Sequence, residues 1–242
     1  MKLSDFKALT FDCYGTLIDW ESGIFNALAP LVAKGAASKT RDEVLENFAR
    51  HESAQEEETP AMLYAQLLSV VYKRLAKEWG VRVSDEEANI FGASVPDWPE
   101  FHDSVEALRY LKQHYKLVIL SNVDRLSFRS SNARLQVVFD AIYTAQDVGS
   151  YKPSLRNFDY MLQRLKSDFN FDKADILHTA QSLFHDHAPA NQVGLATAWI
   201  DRRHANKGWG ATMPPPGTPK LDFRFESMIA LARAHQAETG AA

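Results

Sequence analysis

The residue with the most chemical promise is Asp12, which closes the apolar run Ala8-Leu9-Thr10-Phe11 and opens the turn Cys13-Tyr14-Gly15-Thr16-Leu17. A short apolar run ending in Asp and then Gly-Thr reads as a buried strand that delivers a carboxylate to the carboxyl edge of a parallel sheet, where open α/β folds bind ligands. A carboxylate held there can attack carbon or phosphorus, forming an ester or acyl phosphate that water then cleaves. Two further strand ends carry reactive groups, Ser121-Asn122 after the apolar run Leu117-Val118-Ile119-Leu120 and Asp186 between His185 and His187, and between them lies Lys152 of Tyr151-Lys152-Pro153. A lysine near Asp12 favours its ionised form, and backbone N–H groups of the loop around Gly15 suit an anionic substrate group. Position 14 decides between chemistries. A second acid there would serve phosphoryl transfer by protonating an alkoxide leaving group, but the residue is Tyr14.

The elements that must position these groups change character along the chain. Apolar residues at three- and four-residue spacing predict helices over 24–34, 41–58 and 62–79, and Ser84-Asp85-Glu86-Glu87 reads as the capped start of a shorter one. Pro96-Asp97-Trp98-Pro99 punctuates the chain, and strand and helix alternate beyond it. Helices are expected at 104–114, near 128–135, at 154–166, from about 186, and at 227–236. Strands are expected at 117–120, 141–143, 176–178 and 196–200, with loop over 201–220. Continuous apolar strands separated by helices indicate a parallel sheet covered on both faces. The predicted fold is α/β, a Rossmann-like doubly wound parallel sheet, with residues 1–16 and 100–242 forming the core and 17–99 an inserted helical cap domain.

Composition narrows the partners. With 242 residues, 45% hydrophobic, the chain can bury a substantial core, and its net charge of −4 gives no basic footprint for nucleic acid. The only cysteine is Cys13, which removes intrachain disulfides and cysteine-based zinc sites and fits a reducing cytoplasm. Residues 1–7 lack the long apolar stretch of a signal peptide, and no window suits a bilayer span. The expectation is a soluble, cytoplasmic protein that binds neither nucleic acid nor membrane and takes a small-molecule substrate. The Cys13 thiol, beside an apolar strand, reads as buried and inert. His185 and His187 have no third partner for a metal and read as supporting residues.

Taken together, Phe11-Asp12-Cys13-Tyr14-Gly15-Thr16-Leu17, Leu120-Ser121-Asn122, Lys152 before a helix and the late Asp186 resemble the haloacid dehalogenase superfamily over nearly the whole chain. The resemblance implies a hydrolase with Asp12 as nucleophile, Lys152 and Asp186 as further catalytic residues, and Asp186 positioning the hydrolytic water. It implies substrate contacts from Cys13, Tyr14, Thr16, Trp20, Ser121 and Asn122. Because Tyr14 replaces the second acid, the implied branch is the 2-haloacid dehalogenase-like one, acting at C2 of a small carboxylic acid with water, without metal or other cofactor. A magnesium-dependent phosphatase is the alternative from another class. Homodimers in this branch make a homodimer the analogous expectation.

Departures from the haloacid pattern bear on the leaving group. Phe158 stands where the branch carries a tyrosine, Gln181-Ser182-Leu183 replaces a Ser-x-Asn stretch, and Arg50 is the nearest counterpart of the halide-receiving arginine. The phrases Thr10 to Trp20, Tyr151-Lys152-Pro153 and His185-Asp186-His187 further resemble hydrolases of the same branch that open L-azetidine-2-carboxylate to 2-hydroxy-4-aminobutyrate. A protonated ring nitrogen leaves as an amine and needs no general acid. Trp20 and Glu52 are then the candidates for contact with the cation. Ring opening is the favoured expectation, with (S)-2-haloacid hydrolysis as its alternative.

Overall fold

The computed structural model describes residues 1–240. Six strands, β1 (Ala8–Phe11), β2 (Lys116–Ser121), β3 (Ala141–Thr144), β4 (Ile176–Ala180), β5 (Ala196–Ile200) and β6 (Phe223–Phe225), pair in parallel in the order β3-β2-β1-β4-β5-β6. Ten α-helices accompany them among the described residues. Four, α1 (Trp20–Gly35), α2 (Arg41–Glu58), α3 (Tyr64–Glu78) and α4 (Asp85–Gly92), form the insertion that follows β1 and ends before Pro99. The others are α5 (Ser104–Leu111), α6 (Arg125–Leu135), α7 (Ala145–Val148), α8 (Leu155–Phe169), α9 (Ala188–Gln192) and α10 (Met228–Thr239). This is an α/β, Rossmann-like architecture with a helical insertion.

Side-chain alternation explains why β1 is central. Leu9 and Phe11 point with Leu117, Ile119 and Leu177 into an apolar layer shared with Leu108 of α5 and Leu231 of α10. Ala8 joins Val118, Leu120 and Ile176 on the opposite face, against Phe158, Met161 and Leu165 of α8. Each fully buried Leu, Ile or Phe is worth roughly 1.5–3 kcal/mol relative to exposure, so packing on both faces fixes the strand end that carries Asp12. Phe11 is level with Ile119 of β2 and Thr179 of β4. The segments following β1, β2 and β4 therefore emerge side by side at the carboxyl edge.

The four inserted helices begin at the signals the sequence carries. Thr40 and Glu43 form a capping box at α2, Ser84 and Glu87 form another at α4, and Asp19 caps α1 through the Ser22 N–H. α1 starts at Trp20, four residues before the predicted start, because this cap precedes the first strongly periodic residues. The Asp124 carboxylate likewise caps α6 and starts it at Arg125. Two elements are absent from the sequence expectation: β6, a three-residue edge strand, and α7, a single turn too short to show periodicity. The chain leaves and re-enters the sheet at adjacent points, where the Asp19 N–H donates to the Pro99 carbonyl at 2.7 Å and the Phe101 N–H to the Leu17 carbonyl at 3.0 Å. No helix among the described residues is long and apolar enough to cross a membrane.

Gly23 lets α1 pack on Trp98, whose ring meets Tyr14 edge-on with centroids 5.7 Å apart. A Cβ on Gly23 would collide with the Trp98 ring at Cγ. In an exposed helix Gly→Ala stabilises by about 1 kcal/mol, but here the overpacking cost of about 1–3 kcal/mol wins. Gly23→Ala is expected to lower the thermal midpoint; a midpoint at or above wild type in a melting experiment would contradict this packing.

Candidate active site

Asp12, Lys152 and Asp186 meet at the carboxyl edge of the sheet. The Lys152 ammonium donates to Asp12 Oδ1 at 3.0 Å, to Asp186 Oδ1 at 2.7 Å and to the Leu120 carbonyl at 2.9 Å, which uses all three of its N–H groups. Thr16 donates its hydroxyl to Asp12 Oδ2 at 2.7 Å and accepts from the Gln181 N–H at 2.9 Å. Behind Asp186, His178 Nε2 lies 2.9 Å from the same Oδ1, and its Nδ1 lies 2.8 Å from the Thr10 hydroxyl. Asp186 Oδ2 is buried and has no partner among the described residues.

Several local features fix this geometry. Gly15 adopts a φ of +95°, and a Cβ there would sit 2.9 Å from Trp20 Nε1, so the turn after Asp12 takes glycine alone. Arg202 clamps the same turn, donating to the Thr16 carbonyl at 2.8 and 3.2 Å while pairing with Asp103 at 2.8 Å. Asn122 holds the lysine by its backbone. Its Oδ1 accepts from the Lys152 N–H at 2.7 Å, and its Nδ2 donates to the Lys152 carbonyl at 3.0 Å.

The charges divide unevenly between the two aspartates. Burial works against an ionised Asp186, yet the Lys152 ammonium and the His178 hydrogen bond pull its carboxyl well below the usual range. Burial pushes Asp12 above its ordinary value, against the pull of Lys152 and Thr16, and the charge of Asp186 adds to the rise. Burial also opposes a charged Lys152, but the two carboxylates outweigh it and raise its pKa. The trio thus holds a firmly protonated lysine, a firmly ionised Asp186, and Asp12 as the member nearer to titration.

Above the trio lies a cavity of about 30 Å³ lined by Asp12, Tyr14, Trp20, Asn122, Lys152 and His185, with Glu52, Glu56 and Tyr64 contributed by α2 and α3. It has room for one or two waters. Trp20 also lines a larger outer cleft of about 450 Å³ that contains none of the trio. Glu52 and Glu56 share a helix face, and neither pairs with a lysine or arginine among the described residues. Tyr64 donates to Glu52 Oε1 at 2.6 Å and Asn122 Nδ2 to Glu56 Oε1 at 3.0 Å. Burial pushes Glu52 up to about 8 despite the Tyr64 hydrogen bond. Burial and the neighbouring Glu52 raise Glu56 well above the carboxylate range.

The sequence-predicted residues fall into groups. Asp12, Lys152 and Asp186 are in contact through one ammonium, and Tyr14, Trp20, Asn122 and Glu52 line the cavity. Thr16 reaches Asp12 but not the cavity wall. Ser121 is buried at the end of β2 with its Oγ unpartnered among the described residues. Two expectations need correction. The Cys13 side chain packs in the apolar core and does not line the cavity. Arg50 lies on the outer face of α2, half exposed, where Glu78 holds it at 3.0 Å, because residues 50 and 52 of a helix point to different sides. His187 supports the fold, with Nε2 2.9 Å from the Ala180 carbonyl, whereas His185 faces the cavity. Glu56, Tyr64 and His178 were not anticipated. Glu56 was findable, four residues after Glu52 on a predicted helix.

A family model described as haloacid dehalogenase-like hydrolase matches residues 6–178. The chain belongs to that family. Solved structures similar to this hydrolase include the L-2-haloacid dehalogenase PA0810, with a TM-score of 0.76 and 20% identity over 94% of this chain and 98% of the other. The L-2-haloacid dehalogenase from Xanthobacter autotrophicus with chloropropionic acid covalently bound gives 0.71 and 18% over 98% and 100%. The putative HAD-hydrolase YfnB from Bacillus subtilis, bound to magnesium, gives 0.73 and 16% over 96% and 99%. At these identities the likeness is one of fold. No curated protein matches the chain.

The groups present in this haloacid dehalogenase-like hydrolase do not suit magnesium at Asp12 and Asp186. The Lys152 ammonium binds both carboxylates, and among the described residues no three His, Cys, Asp or Glu side chains are arranged to hold an ion.

The raised Glu52 has a stability consequence. Below its ordinary value of 4.5 the folded and unfolded chains both hold the proton, and between 4.5 and about 8 only the folded chain does, so this group's stabilisation is lost as pH rises through that window. Glu52→Gln has no such proton to lose. Its thermal midpoint relative to wild type is expected to climb between pH 5 and pH 8.5, and a difference independent of pH would refute the burial of an unpaired acid.

Proposed function

We propose that this hydrolase uses Asp12 to displace an amine from C2 of a small carboxylic acid, with L-azetidine-2-carboxylate as the substrate and 2-hydroxy-4-aminobutyrate as the product. The observation that carries the reading is the pair Glu52 and Glu56, buried over Asp12 and paired with no lysine or arginine among the described residues. Burial holds these acids close to neutrality, and a bound ammonium favours their ionised form where a departing halide would oppose it. The outward turn of Arg50 removes the nearest candidate for a halide cradle.

The steps follow from the groups in place. The water-sized cavity must widen to admit the substrate, whose azetidinium nitrogen then faces Glu52 and Glu56, with the Trp20 ring as a further surface for its charge. An Asp12 oxygen bonds to C2, the C2–N bond breaks, and its electron pair stays on nitrogen as a neutral primary amine. No acid is needed at that step. That agrees with Tyr14, whose hydroxyl is bound to Ser131 at 2.7 Å and whose pKa burial raises, making it a poor proton donor. Water then cleaves the Asp12 ester. Hydrolysis of (S)-2-haloacids is the competing reading, supported by the fold shared with L-2-haloacid dehalogenases.

A substrate panel of L-azetidine-2-carboxylate, (S)-2-chloropropionate and p-nitrophenyl phosphate, with and without chelator, tests the proposal. Ring opening is expected to dominate. Glu56→Gln is expected to cut kcat/KM for the azetidine about 10-fold or more, the loss of one interaction with a charged group, without reducing chloride release. Chloride release faster than ring opening, or chelator-sensitive phosphate release, would overturn it.

A further inference from the structure

His185 is a buried imidazole that the first displacement does not use, and it sits in the wall of the cavity that holds Asp12. Its backbone N–H donates to Ser182 Oγ at 2.9 Å, and its Nδ1 lies 3.3 Å from the same oxygen, which is also 3.1 Å from the Thr212 hydroxyl. That network fixes the ring through Nδ1. Nε2 is left buried with no hydrogen-bond partner among the described residues, 3.7 Å from Glu56 Oε2, and both side chains line the cavity that has room for a water. The π-helical turn Leu183–His187 produces this placement by carrying His185 to the cavity and Asp186 to the lysine.

We infer that His185 is the base that takes a proton from the hydrolytic water in the second half-reaction. The inference rests on the ring-opening reading given above. With Nδ1–H directed at Ser182, Nε2 presents its lone pair to a water in the cavity. The water oxygen bonds to Cγ of the Asp12 ester and one of its protons moves to Nε2. The bond from Cγ to the substrate oxygen then breaks with its electron pair on that oxygen, which takes the second water proton and becomes the product hydroxyl. Asp12 returns as a carboxylate carrying one water oxygen. The imidazolium passes its proton, by way of Glu56, to the amine freed in the first step, and the product leaves as an ammonium. Water's surplus proton and the amine's missing proton are thereby the same proton.

Asp186 is less suited to this task. Its Oδ1 accepts from both Lys152 and His178, and it does not line the cavity in which the water would sit. Burial holds His185 down to about 4, so it is unprotonated at neutral pH with its Nε2 lone pair free; the charges of Asp186 and Lys152 act on it in opposite directions. Glu56 and Asp186 face the imidazolium once it forms.

The test is rapid mixing of wild type and His185→Asn with L-azetidine-2-carboxylate, followed by intact-protein mass and quantified ring opening. In the variant, a full burst of ring opening with accumulation of the Asp12 ester is expected, its hydrolysis slowed about 100-fold or more. Hydrolysis at the wild-type rate, or loss of the burst without ester, overturns the assignment of His185. A wild type inert to the azetidine instead overturns the ring-opening reading, and this inference with it. Should the Asn variant not fold, His185→Gln carries the test: ester hydrolysis slowed about 100-fold or more behind an intact ring-opening burst upholds the base, and hydrolysis at the wild-type rate overturns it.

Discussion

One ammonium organises the candidate active site. Lys152 is almost wholly buried, and its three donors are spent on Asp12, Asp186 and the Leu120 carbonyl. Without it, two carboxylates would face each other in a dry interior, and losing one partner of a buried charge pair costs about 3–5 kcal/mol. The fold invests in placing it. The parallel registers bring the ends of β1, β2 and β4 level, and Asn122 grips the lysine backbone from both sides. Asp186, tied additionally to His178, takes the larger share of the lysine's charge, which leaves Asp12 as the carboxylate free to react.

The inserted helices add a second electrostatic theme of opposite sign. Where they meet the carboxyl edge they bring Glu52 and Glu56, acids that burial keeps close to neutrality and that lack a cationic partner among the described residues. An active site with a saturated cation below and unpaired acids above is complementary to a substrate that is positive where the leaving group sits. The proposed zwitterion meets that pattern.

Much of this could be read from the chain because the relevant signals are local. The strand ends at Asp12 and Ser121 follow apolar runs, and the caps at Thr40 and Ser84 announce their helices. The meeting of Asp12, Lys152 and Asp186 was legible only as what a family resemblance implies, since strand order is a long-range property. What stayed hidden depends on side-chain direction or on contacts across the fold. Arg50 and Glu52 are two residues apart and point to different sides of one helix, Tyr64 enters from the start of another, and His178 resembles any buried strand residue until Asp186 folds back onto it. The unpaired Nε2 of His185 is visible only once its neighbours are known.

The most direct measurement of the nucleophilic role of Asp12 is a single turnover of L-azetidine-2-carboxylate, with enzyme in excess, in heavy-oxygen water. Because water attacks Cγ of the ester, the heavy oxygen is expected in the peptide that contains Asp12, with unlabelled product. Label confined to the product hydroxyl, with the Asp12 peptide at its natural mass, would mean that water attacks the substrate directly and would contradict the account.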